Sequence, residues 1–246
     1  MNIKELHDAL TGRFPKELSA PWDNDGIMCA SDTAREVRRV LVSLDPTKAA
    51  IKYAAGHGFD TLVTHHPLIF KGLKSVAGAD TVSSRVIAAM RSDIAVISLH
   101  TRLDAAVGGV NDALARALRF EVSGTFGDAE APTLGRLARL HEAMDSEELA
   151  AHVENALASR VRVYGSGTVG CVALVGGSGK DFILPAMAAG ADALITGESG
   201  YNMAEAAAEE GFVVIEAGHY ETEFPVCETL AEVIRGKGID AEVYGG

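Results

Sequence analysis

Two stretches of the sequence, VLVSLDPTKAAIKYAAGHGFDTLVT at residues 40–64 and VALVGGSGKDFILPAMAAGADALIT at residues 172–196, align without a gap. Each has the pattern of a strand, a helix and a second strand, because short apolar runs flank a segment whose apolar residues have helical spacing. An Ala-rich composition explains the shared Val, Ala and Leu positions, but it explains the shared ending G-x-D-x-L-x-T less well. The chain is therefore predicted to contain two related α/β halves.

Outside these two stretches, strand and helix patterns continue to alternate along the chain. Such alternation indicates βαβ units with helices covering a mainly parallel sheet. We predict an α/β fold of two similar βαβ-type halves packed around a central cleft, with residues 1–125 in the first half and 126–246 in the second. Short strand patterns around a helix at 145–158 mark a seam at about 120–165. The two halves are expected to act as one functional unit.

The composition limits the classes of function. The chain has 246 residues and a net charge of −12, which counts against broad electrostatic binding of nucleic acid. Its three cysteines are far apart and form no C-x-x-C motif, which is typical of reduced thiols in a cytoplasmic protein. We find no apolar run of transmembrane length and no signal peptide in the sequence, so we expect a cytoplasmic protein without a membrane partner.

Four of the eight histidines come directly after apolar strand patterns. His65 and His66 follow TLVT, His100 follows VISL, and His219 follows VIEAG. The carboxyl ends of strands are where open α/β sheets bind their ligands. A single histidine at such a position usually only satisfies a hydrogen bond, but four at one sheet edge favour a functional site.

Two carboxylates accompany these histidines at a spacing of four residues. Asp104 follows His100, and Glu223 follows His219 on the same side of the chain if that turn is helical. Imidazole with carboxylate suits Zn, Fe, Mn, Co or Ni more than Ca. Five ligands exceed the needs of one open tetrahedral site, whereas two ions bridged by a carboxylate and by water or hydroxide use such a set. The predicted metal ligands are His65, His66, Asp104, His219 and Glu223.

The adjacent histidines need a further explanation, since neighbouring side chains on a regular strand point to opposite faces. At a strand terminus the pleat ends, and Pro67 restricts the turn that follows. The two imidazoles can then diverge toward two different ions.

Three other residues have two interpretations each. His100 is predicted to support a metal ligand from behind or to act as a general acid or base. Asp45 either orients a ligand histidine or caps the helix that begins near Pro46. Glu198 aligns with His66 in the repeat, so it either faces the same site or caps the helix near Tyr201.

The motifs that carry these residues resemble the Nif-three-like family of dinuclear metal-centre proteins, many of which are called GTP cyclohydrolase 1 type 2 homologues. The resemblance runs from about residue 3 to residue 244, and its most specific parts are THHPLIF at 64–70 and GHYETE at 218–223. It is also carried by PWDNDGIM at 21–28, SLDPT at 43–47, HTRLDAAVGGVND at 100–112, GGSG at 176–179 and DALITGE at 192–198.

The resemblance implies two similar α/β halves with a two-metal site between them, and a ring-like homohexamer. It implies that His66 and Asp104 bind one ion, that His65 and His219 bind the other, and that Glu223 bridges them. The sequence departs from the family pattern at Arg102, where many members have Asn, and at Glu221 and Glu198. We expect Arg102 and Glu221 to change the charge around the cavity.

Two classes of function are compatible with these residues. The first is a metal-dependent hydrolase that acts on a nucleotide or phosphoester-type small molecule through a metal-bridging hydroxide. A GTP cyclohydrolase-like activity is implied by the resemblance alone. The alternative is a non-catalytic protein that binds or delivers metal, or a regulatory ring-forming protein.

Overall fold

The computed structural model describes residues 1–129 and 131–246, which form two compact units. One unit comprises residues 1–103 and 226–246, and the other comprises residues 104–225. These limits differ from the predicted boundary at 125/126, because the C-terminal residues 240–243 pair with residues 39–42 of the first unit. Residue 130, in the predicted seam, lies outside the described residues.

The first unit contains five strands and five α-helices, which are α1 (Ile3–Arg13), β1 (Gly26–Cys29), β2 (Arg39–Ser43), α2 (Lys48–Gly56), β3 (Thr61–Thr64), α3 (Thr81–Arg91), β4 (Ala95–Ser98), α4 (His100–Ala105), α10 (Pro225–Arg235) and β11 (Asp240–Val243). Its strands form one sheet in the order β1-β4-β3-β2-β11. All neighbouring strands are parallel except β1, which runs antiparallel to β4. The helix α4 continues by two residues into the second unit.

The second unit contains the elements α5 (Val110–Ala117), β5 (Val122–Phe126), β6 (Gly135–Asp145), α6 (Ser146–Leu157), β7 (Arg162–Tyr164), β8 (Thr168–Ser178), α7 (Ile183–Ala188), β9 (Ala193–Glu198), α8 (Tyr201–Glu209), β10 (Val213–Glu216) and α9 (His219–Glu223). Its strands form a six-stranded sheet in the order β5-β6-β8-β9-β10-β7. The strands β8, β9 and β10 are parallel, and antiparallel strands flank them. The strands of the predicted seam belong to this sheet.

The predicted repeat is present as β2-α2-β3 in one unit and β8-α7-β9 in the other. The strands pair in the same register, with Val40 opposite Thr61 and Val172 opposite Ala193. In each copy, an aspartate just before the second strand links the two strands by accepting hydrogen bonds from the backbone at the start of the first. Asp60 accepts hydrogen bonds from the backbone N–H groups of Arg38 and Arg39, and Asp192 accepts them from Gly170 and Cys171. The α/β fold with a repeated βαβ unit is thus confirmed.

The cores explain why these sequences form strands. In the second unit, Val172 and Leu174 pack into one cluster below the sheet, while Ala173 and Val175 pack into another above it. Alternate residues face opposite sides of a strand, so a central strand covered on both faces must be apolar throughout. Fully burying a Val or Leu side chain stabilises the fold by about 1.5–3 kcal/mol.

Helix termini follow local sequence signals. The side chain of Asn2 caps α1 together with Glu5, and Thr47 caps α2. After His219 the chain forms two helices, α9 and α10, which are separated at Pro225. The ring of Pro225 cannot continue a helix interior but suits a first turn. Within residues 1–129 and 131–246, none of the helices has the length and apolar character that a membrane crossing needs.

Candidate metal centre

The histidine doublet lies immediately after β3. His65 is buried, and the centroids of the His65 and His66 rings are 4.8 Å apart. The backbone N–H of His66 donates to the carbonyl of Leu44, and that of His100 donates to the carbonyl of His65, both at 2.9 Å. Contacts with both neighbouring strand ends therefore hold the doublet, and the two rings lie side by side rather than on opposite faces.

A carboxylate orients His66. Asp45 Oδ1 lies 2.9 Å from His66 Nδ1, and Thr47 rather than Asp45 caps α2. An ionised carboxylate oxygen can only accept, so Nδ1 carries the proton and Nε2 is the nitrogen that can coordinate a metal. Of the two interpretations of Asp45, the structure favours the orienting role.

A matching arrangement occurs in the second unit. His219 and Glu223 lie one turn apart on α9, with His219 Nε2 3.2 Å from Glu223 Oε2. On the other side of the ring, Glu198 Oε1 lies 3.0 Å from His219 Nδ1. The helix α8 begins after Gly200 without a side-chain cap, so Glu198 orients His219 and does not cap that helix.

Glycines give Glu223 the space that it occupies. A Cβ added at Gly177 would lie 2.1 Å from Glu223 Oε1 and 3.2 Å from His219 Nε2. Gly177 also has a φ of +66°, which L side chains rarely adopt. A Cβ at Gly197 would lie 2.7 Å from the Cα of His219. The strand ends of this unit are therefore shaped to admit the α9 side chains.

His65, His66 and Glu223 are residues that can hold a metal ion, the first two through an imidazole nitrogen each and the third through a carboxylate oxygen. Glu223 is only 5% exposed, and Asp104 Oδ1 is buried as well. Two imidazoles and a carboxylate are the donors that Zn and other first-row divalent ions prefer. The donor chemistry therefore fits a metal.

His100 is held by an aspartate that the sequence interpretation missed. Asp23 Oδ1 accepts from His100 Nδ1 at 2.7 Å, and Asp23 Oδ2 accepts from the backbone N–H of Thr101 at 3.0 Å. Burial raises the pKa of Asp23, but the hydrogen bonds from His100 and Thr101 outweigh it and hold that pKa well below its usual range. The sequence feature that could have indicated this partner is the acidic loop PWDNDG at residues 21–26, but it lies far from His100 in the sequence.

Arg102 has a structural role, which corrects the expectation that it changes the charge around a cavity. Its side chain is 1% exposed, and its Nε donates to Asp25 Oδ2 at 2.8 Å while Nη2 donates to Asp25 Oδ1. Arg102 also donates to the hydroxyl of Thr11, and Lys16 makes a second ion pair with Asp25. Burial raises the pKa of Asp25, but the hydrogen bonds from Arg102 and Lys16 lower it overall.

We expect Arg102→Met to destabilise the protein by about 3–5 kcal/mol at pH 7, because it leaves Asp25 buried without its principal partner. The pKa of Asp25 is lowered on folding from 3.8, so its ion pairs stabilise the fold above that pH and lose this effect as the pH falls through the lower folded value. Urea unfolding at pH 7 and pH 3 should therefore show a smaller difference from the wild type at pH 3. The exposed Arg91→Met should change little at either pH.

We expect Asp45→Ala and Glu198→Ala each to weaken metal binding about 10–100-fold, because each removes the carboxylate that fixes a ligand imidazole. Competition with a chromophoric chelator measures the affinity. The exposed Asp181→Ala is the matched control and should bind as the wild type does. Unchanged affinity in both variants would contradict the orienting role.

The chain is similar to known proteins along nearly its whole length. The sequence profile described as Duf34/NIF3 (NGG1p interacting factor 3) matches residues 1–244. The chain is 36% identical to a protein of Streptomyces coelicolor named GTP cyclohydrolase 1 type 2 homolog, over 98% of this chain and 90% of the relative. It is 31% identical to a protein of Archaeoglobus fulgidus with the same name, over 98% of this chain and 96% of the relative.

Solved structures show the same fold. A hypothetical protein of Staphylococcus aureus, SA1388, superposes with a TM-score of 0.89 at 26% identity, covering 100% of this chain and 97% of that one. Reduced HcgD from Methanocaldococcus jannaschii superposes with a TM-score of 0.85 at 25% identity, covering 100% of this chain and 98% of that one. From its sequence and its fold, the chain belongs to the DUF34/NIF3 family.

Proposed function

We propose that the protein is a metal-dependent hydrolase with two divalent ions per chain, acting on a nucleotide or phosphoester-type small molecule. The observation that carries the proposal is the donor set of His65, His66 and Glu223, which can hold a metal ion. The contact between Glu223 and His219 supports the addition of His219 to this set. The buried Oδ1 of Asp104 supports its inclusion as the fifth ligand.

In this proposal each ligand has a separate role. His66 and Asp104 would hold one ion, His65 and His219 would hold the other, and Glu223 would serve both, as the family resemblance implies. Bound ions of this kind polarise the attacked centre and make water a stronger nucleophile near neutral pH. Asp45 and Glu198 keep the imidazoles in the coordinating tautomer. The Asp23–His100 pair supports a role of His100 in proton transfer, because a carboxylate at Nδ1 fixes the orientation of the ring and leaves Nε2 to face a ligand.

The substrate class follows from two considerations. The relatives in S. coelicolor and A. fulgidus are named as homologues of a GTP cyclohydrolase, and GTP is a purine nucleotide. Two-metal sites also suit the displacement reactions of phosphate esters.

Hydrolysis by the metal-replete protein tests the proposal directly. We expect turnover of at least one compound in a panel of nucleotides and phosphoesters, and loss of that turnover in Glu223→Gln. If the protein carries its full metal complement and turns over no compound of the panel, the hydrolase proposal is overturned. Transfer of the metal to an apo-acceptor under the same conditions would then favour metal delivery.

We also propose that the chain forms a homohexamer in the cytoplasm, as its family resemblance implies. Light scattering coupled to size-exclusion chromatography tests the oligomeric state, because the mass of one chain is 25.7 kDa. A single species with the mass of one chain or two would contradict it.

A further inference from the structure

Two large apolar rings lie exposed beside His100. Trp22 is 60% exposed and Phe70 is 43% exposed. Their ring centroids are 6.0 Å apart in an edge-to-face arrangement, and they lie 6.3 Å and 5.9 Å from the centroid of the His100 ring. The His100 ring lies 5.5 Å from that of His65 and 5.9 Å from that of His66. An exposed aromatic pair therefore adjoins the candidate metal ligands.

The loop that carries Trp22 is firmly attached. The next residue, Asp23, has a fully buried side chain and accepts a hydrogen bond from the backbone N–H of Thr101 at 3.0 Å. Asn24 donates from its side chain to the carbonyl of Ile69, which joins this loop to the segment that bears the second ring. The backbone segments that carry the two rings are thus anchored before any ligand binds, which lowers the ordering cost of binding.

We propose that Trp22 and Phe70 form a subsite for the planar ring of a purine-type nitrogen heterocycle, next to His100. The inference rests on the proposed function and specifies its substrate class. Nucleobases stack on aromatic side chains because every base presents a π face. Asp23 occupies Nδ1 of His100, so Nε2 is the nitrogen that can meet a polar atom at the edge of the base.

The size of this surface favours a small ligand over a protein partner. Exposed apolar groups grouped at a site usually mark binding of some kind. A stable protein interface, however, buries about 800 Å² of surface on each partner, and two side chains offer far less area than that. Their contact with His100, beside the histidine doublet, instead places the pair where a substrate of the metal centre would extend.

Fluorescence gives a direct test, because Trp22 is the single tryptophan of the chain. Titration of the intact protein with GMP should quench its emission, whereas ribose 5-phosphate, which lacks the base, should not. In Phe70→Ala the dissociation constant for GMP should rise about 10-fold. The control Tyr201→Ala removes a ring that is 64% exposed elsewhere and should leave GMP binding unchanged. Metal content should be the same in all of these proteins.

Equal quenching by ribose 5-phosphate, or an unchanged dissociation constant in Phe70→Ala, would overturn the subsite. So would a loss of oligomer mass in Phe70→Ala without any quenching by GMP in the wild type, which would assign the rings to a contact between copies. The two proposals fail separately. Quenching by GMP without turnover would support the subsite and contradict the hydrolase proposal. Turnover of phosphoesters that lack a base, without quenching by GMP, would support the hydrolase proposal and contradict the subsite.

Discussion

Glu223→Gln is expected to abolish tight metal binding while leaving the fold intact. The carboxylate is buried, lies 3.2 Å from His219 Nε2, and is one of the candidate metal donors. Glutamine has nearly the same shape but no negative charge, so the electrostatic attraction for a divalent ion is lost. Elemental analysis of the protein purified without added chelator should give two ions per chain for the wild type and less than one for the variant.

The control is Glu205→Gln, which removes the same charge from an exposed position on α8. This variant should keep its full metal content, and both variants should unfold cooperatively when they are free of metal. If Glu223→Gln retains the wild-type metal content and affinity, Glu223 is not a ligand. One ion per chain in the wild type would reject the two-metal site while leaving the group of three ligands intact.

Gly177→Ala should also remove metal, although glycine itself offers no ligand atom. The new Cβ would lie 2.1 Å from Glu223 Oε1, so the carboxylate must leave its position. The end of a Glu side chain can move, and we therefore expect a folded protein with a displaced ligand. Metal affinity should fall at least as far as in Asp45→Ala.

Backbone strain must be separated from this steric effect. Gly190 has a φ of +79°, similar to the +66° of Gly177, but a Cβ at Gly190 meets nothing within 4 Å. Both alanine variants should therefore lose about 1–2 kcal/mol of stability through the left-handed backbone conformation. Only Gly177→Ala should lose metal. Equal metal affinity in the two variants would show that Gly177 has no steric role at the site.

Local patterns made much of this fold predictable. The alternation of apolar and helical segments identified the repeat, and its gapless alignment agrees with the identical strand register in the two units. Strand-end position was also informative, since His65 and His66 lie together where β3 stops. These features depend on residues that are close in sequence, where spacing alone determines which side chains share a face.

Long-range pairing could not be predicted from spacing. Asp23 meets His100 across 77 residues, and no periodic pattern connects them. Strand β11 is a four-residue segment that joins the sheet through β2, and it assigns the C-terminus to the first unit. The sequence places Arg102 between two predicted site residues, which suggests that its charge lies near the site. Its long side chain instead reaches Asp25 in the interior.

The two copies of the repeat differ in how they place a carboxylate beside an imidazole. In the gapless alignment, the position of Asp45 corresponds to Gly177. One copy supplies a carboxylate from the end of its own strand, toward His66. The other copy has no side chain at this position, and the carboxylate of Glu223 occupies the space from a helix. Negative charge beside an imidazole is thus present in both copies but comes from residues at different positions, so matching the halves position by position would miss this equivalence.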